Sequence, residues 1–408
     1  MREAWQYRSL GDVCEVVNGG TPKTGVNDYW GGHHLWITPA EMGKRSTPYV
    51  SDTERKITDL GLRDSSARLL PPGSVILSSR APIGHLVINT VPMATNQGCK
   101  GLVPSEGLDV RYLYYYLSSI VDLLNELGSG ATFKELSGGK LKEVPIPVAP
   151  FPEQQRIVAI LDEGFEGIAT AKANAEKNLQ SSAALFDAYM EASFAGGDCE
   201  WEDKTVGELV ETGVLLKPFD GNHGEIHPRK SDYVSAGVPF IMACDLRDGI
   251  VDLKECKFIS RSLADSLRVG FAKDGDVLIS HKGTIGRSAI LKTDYEYIML
   301  TPQVTAYRVK AADRISNKFL RYFFMSAFFQ RQIIDGASDG ATRAYIGITR
   351  QLSLRLRFPH LSEQERIVQR LDLLGPEAGR LAANCGRKLT ALDDLKKSLL
   401  YHAFSGQL

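Results

Sequence analysis

The sequence lacks the features of a membrane protein, a metalloprotein or a disulfide-stabilised protein. No run approaches the roughly 18 consecutive apolar residues of a membrane span, and the N-terminus has no apolar signal core. The six cysteines form no Cys-x-x-Cys pair, and the eight histidines show no metal-ligand spacing. We therefore expect a cytoplasmic protein with no membrane span, no metal site and mostly buried, reduced cysteines.

Recognisable catalytic signatures are missing as well. The chain has no Gly-x-x-x-x-Gly-Lys-Ser/Thr phosphate loop, no His-Glu-x-x-His and no cysteine–histidine nucleophile signature. It also lacks the Asn-Pro-Pro-aromatic tetrapeptide with which amino-methyltransferases hold a flipped base. These absences predict that the chain has no active site of its own.

An excess of charge of one sign is absent too. The 48 Lys and Arg residues nearly balance the 49 Asp and Glu residues, which leaves a net charge of −1. Because a dedicated polyanion binder is often strongly basic, any basic surface must be local. Residues 151–198 carry 8 acidic and 3 basic residues, so the rest of the chain is slightly basic.

What the 408 residues do contain is an internal repeat. The pattern Glu-Gln-x-Arg-Ile-Val-x-x-Leu-Asp at 153–162 recurs at 363–372, an offset of 210 residues. Gly-Ala-Thr at 130–132 recurs at 340–342 with the same offset, whereas a glycine-initiated apolar run at 73–78 recurs at 275–280 with an offset of 202. An offset that grows along the chain indicates a tandem duplication with insertions in the second copy.

Each copy ends in a segment with a heptad repeat. Apolar residues dominate positions spaced seven apart from Leu161 onward, and again from Leu371 onward. Four to five heptads predict two helices of roughly 35–40 residues that pair as a coiled coil, with an ordinary bundle of core helices as the alternative. The residues predicted to pair the helices are Leu161, Phe165, Ile168, Leu179, Phe186, Leu371, Leu389, Leu392 and Leu399.

The segments that precede these helices have a mixed pattern. Short β-rich runs at 75–77, 86–88, 277–279 and 304–309 are separated by clusters of Gly, Pro, Asn and Thr. One apolar helix is predicted late in each copy, over 110–127 and 317–334.

The predicted fold class is therefore α+β, with two pseudo-repeated domains joined by two long antiparallel coiled-coil helices. The predicted segments are domain 1 at 1–150, a central spacer helix at 151–197, domain 2 at 198–358 and a C-terminal spacer helix at 359–408.

Loops rich in Gly, Ser, Thr, Asn and Gln, each with a basic residue nearby, recur in both copies. Such loops let hydroxyls, amides and cations approach phosphates, and Arg, Gln and Asn can also read base edges. The alternative is that the glycines only shape turns. The candidate DNA contacts are Thr21, Lys23, Ser79, Arg80, Asn96, Gln97, Lys100, Thr132, Lys134, Lys217, His281, Lys282, Thr284, Gln303, Thr342 and Arg343.

The order of variable domain, Pro-x-x-Glu-Gln-x-Arg-Ile-Val helix, second variable domain and second such helix resembles the specificity (S) subunit of type I restriction–modification systems. The resemblance covers essentially the whole chain, and its most specific parts lie at 150–158, 130–132, 73–84 and 275–286. The second copy departs from the pattern, because His360 stands where the first copy has Pro150. We expect this change to loosen the start of the second helix.

The resemblance implies a non-catalytic subunit whose two target-recognition domains each contact one half of a bipartite double-stranded DNA sequence. It implies that the helices act as a spacer and dock two methylation (M) subunits, which restriction and motor (R) subunits join. S-adenosylmethionine, Mg²⁺ and ATP would then belong to these partners, and this chain would hold no cofactor. No base contact can be transferred from the family, because recognition domains diverge with their targets.

Two other functions remain open from the sequence. The chain could be a DNA-modifying enzyme in its own right, either a nuclease or a methyltransferase, although the missing motifs disfavour this. It could also be a protein-binding scaffold with no DNA role. Binding to random duplex DNA with a steep salt dependence would separate a DNA-binding protein from a scaffold, because phosphate contacts release counterions.

Overall fold

The computed structural model describes residues 5–80, 82–130, 134–196, 200–223, 227–247, 249–282, 285–336 and 345–408. The chain forms two compact units. Unit 1 consists of Met1–Lys177 and Cys385–Leu408, and unit 2 consists of Asn178–Asn384. Two long helices, α7 (Phe151–Phe194) and α13 (Leu361–Phe404), contribute residues to both units.

The remaining elements of the first copy belong to unit 1. In chain order they are β1 (Gln6–Ser9), α1 (Leu10–Val13), β2 (Cys14–Asn18), β3 (Trp30–Ile37), α2 (Pro39–Met42), β4 (Tyr49–Val50), β5 (Arg55–Ile57), α3 (Asp59–Arg63), β6 (Val75–Ser78), β7 (Leu86–Asn89), β8 (Ala94–Thr95), β9 (Cys99–Pro104), α4 (Val110–Ser119), α5 (Val121–Leu127), α6 (Gly138–Glu143) and β10 (Pro145–Val148).

The remaining elements of the second copy belong to unit 2. They are β11 (Glu202–Thr205), α8 (Val206–Glu211), β12 (Tyr233–Val234), β13 (Val238–Ile241), β14 (Leu246–Arg247), β15 (Ile250–Val251), β16 (Lys257–Ile259), α9 (Arg261–Ser266), β17 (Phe271–Ala272), β18 (Val277–Ser280), β19 (Ser288–Ile290), β20 (Ile298–Leu300), β21 (Val304–Tyr307), α10 (Asn317–Met325), α11 (Ala327–Gly336), α12 (Ile348–Gln351) and β22 (Arg355–Phe358).

The sheets of the two units repeat each other. Unit 1 has a sheet of order β2-β9-β6-β7-β4, a sheet β5-β3-β8 and the pair β1-β10. Unit 2 has the orders β14-β15-β19-β18-β21 and β12-β16-β13-β20-β17, and the pair β11-β22. Strand β6 pairs antiparallel with β7 and β9, as β18 does with β19 and β21. Strand β3 pairs antiparallel with β5 and parallel with β8, as β13 does with β16 and β20.

This correspondence confirms the predicted α+β fold class and the tandem repeat. The strands predicted around Val75, Leu86, Val277 and Val304 are all present. Each central strand is buried on both faces, so it reads as a continuous apolar run rather than as an alternating one.

The late apolar helix of each copy is broken in two, which corrects the prediction of one continuous helix. The first breaks at Ile120 between α4 and α5, and the second breaks at Ser326 between α10 and α11. Ser326 is extended (φ −62°, ψ 146°), and both its backbone amide and its hydroxyl donate to the Phe323 carbonyl. The apolar pattern continues across this break and therefore does not predict it.

The two long helices each contain 44 residues, about 66 Å at 1.5 Å per residue, and exceed the predicted length. A glycine with positive φ follows each C-terminus, Gly196 at 92° and Gly406 at 73°. The last aromatic residue of each helix lies in a core. Phe404 packs on Tyr112 and Tyr116 in unit 1, and Phe194 packs on Phe319 and Phe323 in unit 2.

Both helices start with the same hydrogen bonds, so the expected loosening at His360 does not occur. Buried Gln154 accepts from the Asp109 amide and donates to the carbonyls of Gly107 and Ala149. Buried Gln364 accepts from the Ser316 amide and donates to the carbonyls of Arg314 and Pro359. The glutamine of the repeated motif therefore anchors each long helix to its domain.

Within each unit, segments of the two helices pair antiparallel. In unit 1, Leu161 and Ile168 are buried, and Phe165, Leu389, Leu392 and Leu399 are half-buried. Lys396 lies 5.0 Å from the Phe165 ring, and Lys172 forms an ion pair with Asp393. In unit 2, Leu371 is buried, and Leu179 and Phe186 are half-buried, with the Phe186 ring close to Gly375.

Candidate nucleic-acid interface

In unit 1, the loop after β2 meets the connection between β8 and β9. The Asn96 side-chain amide donates to Thr21 Oγ1 at 3.0 Å, and Asn96 Oδ1 accepts from the Gly98 amide at 2.8 Å. Gly19 allows this approach, because a Cβ atom there would lie 1.9 Å from the Asn96 carbonyl oxygen. Gln97 is exposed beside them. Thr21, Asn96 and Gln97 therefore belong to one surface although they are distant in the sequence.

The turn after β6 joins the same cluster. The Ser79 amide donates to the Gly98 carbonyl at 2.7 Å, and the Ser79 carbonyl accepts from the Leu136 amide at 2.8 Å. The exposed Arg80 places its Nε 3.0 Å from the Glu135 carboxylate. Four chain segments, around residues 21, 80, 97 and 135, thus converge in unit 1.

In unit 2, the equivalent segments converge with the same backbone hydrogen bonds. The His281 amide donates to the Gln303 carbonyl at 2.9 Å, and the His281 carbonyl accepts from the Ile346 amide at 3.2 Å. The next residue, Lys282, forms a backbone bridge with Tyr345, and its Nζ lies 5.7 Å from the Tyr345 ring centroid. Lys282 and Tyr345 therefore correspond to Arg80 and Glu135 of unit 1.

A chain of polar contacts lies under this cluster in unit 2. His281 Nδ1 is 2.7 Å from Thr305 Oγ1, and His281 Nε2 is 3.6 Å from Asp220 Oδ2. The same Asp220 oxygen is 2.9 Å from Nε2 of His223, the counterpart of Thr21. Burial lowers the pKa of His281 to about 4, so this imidazole is neutral near pH 7.

A cleft of about 500 Å³ opens beside this network in unit 2. Thr301 takes the place of Asn96, because its amide donates to the Ile241 carbonyl as the Asn96 amide donates to the Ile37 carbonyl. The residues lining the cleft are His223, His227, Lys230, Tyr233, Met242, Lys282, Thr301, Pro302 and Gln303. They combine cations, an amide and an aromatic ring, groups that suit phosphate and base contacts.

Three of the predicted DNA contacts lie below the surface. Ser79 is 0%, Lys100 5% and His281 1% exposed. Lys100 Nζ lies 3.9 Å from the Glu135 carboxylate, and burial lowers the pKa of this lysine. Because their side chains are buried, these three residues do not offer exposed polar groups to a duplex, as the prediction assumed. The burial of a loop residue cannot be predicted from the loop sequence alone.

The other candidates are distributed as follows. Lys23, Lys134 and Lys217 are exposed cations at the edges of the loops, and Gln303 is half-buried in the cleft. The predicted contacts that lie outside the described residues are Thr132, Thr284, Thr342 and Arg343.

Several residues of the clusters were not predicted from the sequence, among them Glu135, Asp220, His223 and Tyr345. Three of these contact a predicted residue: Glu135 pairs with Arg80, Asp220 lies 3.6 Å from His281, and Tyr345 lies beside Lys282. Glu135 and Tyr345 are separated by the 210-residue offset that also relates the two Gly-Ala-Thr motifs. Extending the repeat by three residues would therefore have identified both.

The fold and these clusters define a two-domain recognition protein, with one loop cluster on each repeated domain. None of the described helices is both long and apolar enough to cross a bilayer. The family model for the type I restriction modification DNA specificity domain matches residues 2–179 and again residues 199–380. The chain therefore belongs to the type I restriction–modification specificity-subunit family.

Individual relatives agree with this assignment. The chain is 30% identical to the MjaIX specificity subunit of Methanocaldococcus jannaschii over 291 residues, 68% of this chain and 66% of that protein. It is 24% identical to the EcoBI specificity subunit of Escherichia coli in an alignment that covers 100% of this chain and 87% of that protein.

Two solved structures show the same fold. One comes from work on complex assembly and conformational transition of the type I R-M system, with a TM-score of 0.75, 19% identity and full coverage of both chains. The other is the HsdS subunit from Thermoanaerobacter tengcongensis, with a TM-score of 0.62 and 18% identity, covering 99% of this chain and 97% of that one.

Membership of this family gives the chain its function. It is a DNA sequence-recognition subunit, as predicted. Specificity subunits are non-catalytic, so the family also confirms the prediction that the chain is not an enzyme.

Proposed function

We propose that each unit reads one half of a bipartite duplex target through its loop cluster. One observation carries this proposal: the same four chain segments meet in both units, and three of them are joined by the same backbone hydrogen bonds, yet they present different side chains. A common frame with different polar groups is what two half-sites of different sequence require. The frame sets the approach to the duplex, and the side chains select the bases.

The cluster of unit 1 offers amide and guanidinium groups. Exposed Gln97 carries the paired donor and acceptor that match the adenine edge, Asn96 holds the loop beside it through Thr21 and Gly98, and Arg80 matches guanine or a phosphate. Arg80 is held by Glu135 at 3.0 Å in the free chain. A DNA phosphate or base must therefore compete with this carboxylate, which penalises contacts that do not fit.

The cluster of unit 2 offers different chemistry. Gln303 supplies an amide, Lys282 a point charge, and His223 an imidazole that Asp220 orients. The lysine lacks the planar fork with which arginine binds two acceptors at once. We therefore expect Lys282 to contact phosphate, while Gln303 and His223 contribute to base selection.

The proposal extends to the partners. One solved relative comes from work on assembly of the type I R-M system, and we propose that this chain likewise assembles with two methylation subunits and with restriction and motor subunits. Exposed Leu185, Leu373 and Leu381 lie on the helix segments of unit 2, and Leu185 and Leu381 line an apolar groove there of about 560 Å³. Such a surface suits a partner helix. S-adenosylmethionine, Mg²⁺ and ATP would bind to the partners, and the complex would act in the cytoplasm.

The test is to change one cluster and map both half-sites. The chain is expressed with its methylation subunits, and methylated positions are mapped in genomic DNA. An Asn96→Ala/Gln97→Ala variant should relax one half of the target, and Gln303→Ala should relax only the other half. Gln369→Ala, an exposed amide on α13, is the matched control and should change neither half.

The same experiment addresses the two alternatives. A change in both half-sites from a variant in one cluster would contradict the proposal. Methylation or cleavage by the purified chain alone, given S-adenosylmethionine or Mg²⁺, would favour an enzyme. Failure of the complex to bind duplex DNA at any salt concentration would favour a scaffold.

A further inference from the structure

In unit 1, two consecutive histidines lie against one carboxylate. His34 Nε2 is 2.8 Å from Asp59 Oδ1, and His33 Nε2 is 3.7 Å from the same oxygen. The three ligand atoms all lie within 4.8 Å of one another. His33 and His34 belong to β3, and Asp59 is the first residue of α3. The sequence did not indicate this cluster, because the third residue is 25 positions away.

An irregularity in β3 makes the cluster possible. Consecutive residues of a regular strand point to opposite faces, so two adjacent histidines should not share a partner. The register of β3 against β5 shifts between Trp30 and His34, which both face Ile57. This bulge brings the two imidazole rings to a centroid separation of 4.0 Å, tilted by 42°. Bulges of this kind redirect side chains and are frequent beside functional sites.

The backbone around the cluster is held by two close approaches. A Cβ atom on Gly32 would lie 2.4 Å from the Ile57 carbonyl oxygen, and one on Gly61 would lie 2.4 Å from the Tyr29 carbonyl oxygen. The Thr58 hydroxyl caps α3 by accepting from the Gly61 amide. Both segments that carry the three side chains are thus fixed by the backbone before any ligand binds.

Unit 2 shows that the fold does not need this cluster. Val238 corresponds to His34, because Val238 pairs with Ile259 as His34 pairs with Ile57. The equivalents of His33, His34 and Asp59 are then Gly237, Val238 and Arg261. The same frame therefore folds with a glycine, an apolar residue and a cation at these positions, so the cluster is not required for the fold.

We propose that His33, His34 and Asp59 bind a divalent transition-metal ion of the Zn²⁺ class. Two imidazole nitrogens and one carboxylate oxygen suit Zn²⁺, Co²⁺ or Ni²⁺, whereas Mg²⁺ and Ca²⁺ prefer oxygen ligands only. An ion about 2.0–2.2 Å from each ligand atom separates neighbouring ligands by about 3–3.5 Å. The observed separations of 2.8 and 3.7 Å bracket this range.

Exposure of the cluster defines what else the ion can bind. The side chains of His33 and Asp59 are 71% and 83% exposed, so three protein ligands leave coordination positions open to solvent. Water or an anionic oxygen, such as that of a DNA phosphate, can take these positions.

The test measures metal binding by the untagged full chain, so that no engineered histidines contribute. After chelator treatment and dialysis, Zn²⁺ is titrated by calorimetry, and Co²⁺ is followed by its visible absorption. We expect one bound equivalent, lost or weakened at least about tenfold in His33→Ala and in Asp59→Asn. Trp30 lies in the same strand, so bound Ni²⁺ should quench its fluorescence in the wild type but not in the variants.

Controls separate a site from general effects. His223→Ala removes a histidine–aspartate pair in unit 2 and should leave the stoichiometry unchanged. His33 is mostly exposed, so His33→Ala should unfold at the wild-type temperature in the presence of chelator. Absence of binding by the wild type, or equal binding by wild type and His33→Ala, would overturn the proposal. Because DNA is not part of the assay, the result does not depend on the proposed half-site recognition.

Discussion

The two copies of the repeat agree closely at the starts of the long helices and much less in the side chains of the loop clusters. At the helix starts, Gln154 and Gln364 make the same three hydrogen bonds, two to carbonyls and one from an amide. About two turns further on, Asp162 accepts from Tyr115 and pairs with Arg111. Its counterpart Asp372 accepts from Tyr322 at 2.7 Å and pairs with Lys318 at 2.6 Å.

In the loop clusters only the backbone agrees. At the places where unit 1 has Thr21, Arg80, Asn96 and Glu135, unit 2 has His223, Lys282, Thr301 and Tyr345. The comparison teaches that the repeat keeps the contacts that join domain to helix and varies the side chains on the loop surface. Under the proposed function, this division would let the DNA-contacting side chains change while the anchoring of each long helix stays the same.

The largest effect is expected where the helices enter the cores. Leu161→Ala and Leu371→Ala each remove a leucine that is 0% exposed, and each should cost about 3–4 kcal/mol of unfolding free energy. Hydrogen exchange measured in each unit at increasing denaturant concentration gives the two losses of unfolding free energy. Leu373→Ala, 72% exposed on the same helix, is the control and should cost little. Clearly unequal losses at Leu161 and Leu371 would break the equivalence of the two units.

A smaller effect is expected at the helix starts. Gln154→Ala and Gln364→Ala each leave buried backbone groups unpaired and should favour local opening by about 2–3 kcal/mol. The amides of Asp109 and Ser316, which lose their acceptors, should then exchange faster with deuterium. Gln155→Ala, an exposed neighbour, is the control. An unchanged exchange rate at either amide would show that the glutamine does not anchor that helix.

DNA binding should separate the two clusters. Arg80→Ala and Lys282→Ala each remove an exposed or half-buried cation and should weaken binding of the assembled complex by about 1–2 kcal/mol. Loss of a phosphate contact lowers affinity equally for all sequences and reduces the salt dependence, whereas loss of a base contact relaxes one position. We expect the first result for Lys282. Titrations of DNA binding at several salt concentrations distinguish the two kinds of contact. Unchanged affinity in both variants would show that these loops only shape turns.

The smallest effect is a pH dependence confined to unit 2. His281 is neutral in the fold with a pKa of about 4, below its ordinary value of about 6.5, because burial disfavours the charged ring. Between these pH values the unfolded chain binds more protons, so stability is complete above pH 6.5 and falls as the pH drops towards 4. Burial also lowers the pKa of His227, which acts in the same direction.

Unit 1 has Ser79 at the position of His281, so it provides the internal control. Unit 2 should lose on the order of 1 kcal/mol relative to unit 1 by pH 5. His281→Ser should remove most of that difference. Hydrogen exchange at pH 7 and pH 5, corrected for intrinsic rates, measures both units in one sample. Equal losses of stability in the two units would contradict the attribution of this pH dependence to His281.

The sequence predicted the strands and helices better than the surface they form. The repeat, the heptads and the runs around Val75 and Val277 gave the correct elements, because their signals are local. The helix predicted over 317–334 is broken at Ser326, and apolar periodicity continues across such a break. The correspondence of loop residues is also not visible in the letters: Asn96 corresponds to Thr301, although Thr95-Asn-Gln would align by letters with Thr301-Pro-Gln.

By itself the sequence determined that the chain is a tandem repeat with two long heptad helices. A helix brings the same face to its partner every few residues, so its apolar contacts appear as a regular spacing in the sequence. Only the tertiary structure decided which loop residues meet, which are buried and which form a cluster. Thr21 meets Asn96 across 75 positions, His281 lies under the surface that Lys282 lines, and Asp59 joins His33 and His34 through a strand irregularity. These outcomes depend on the packing of segments that are distant in the chain, and no local period records them.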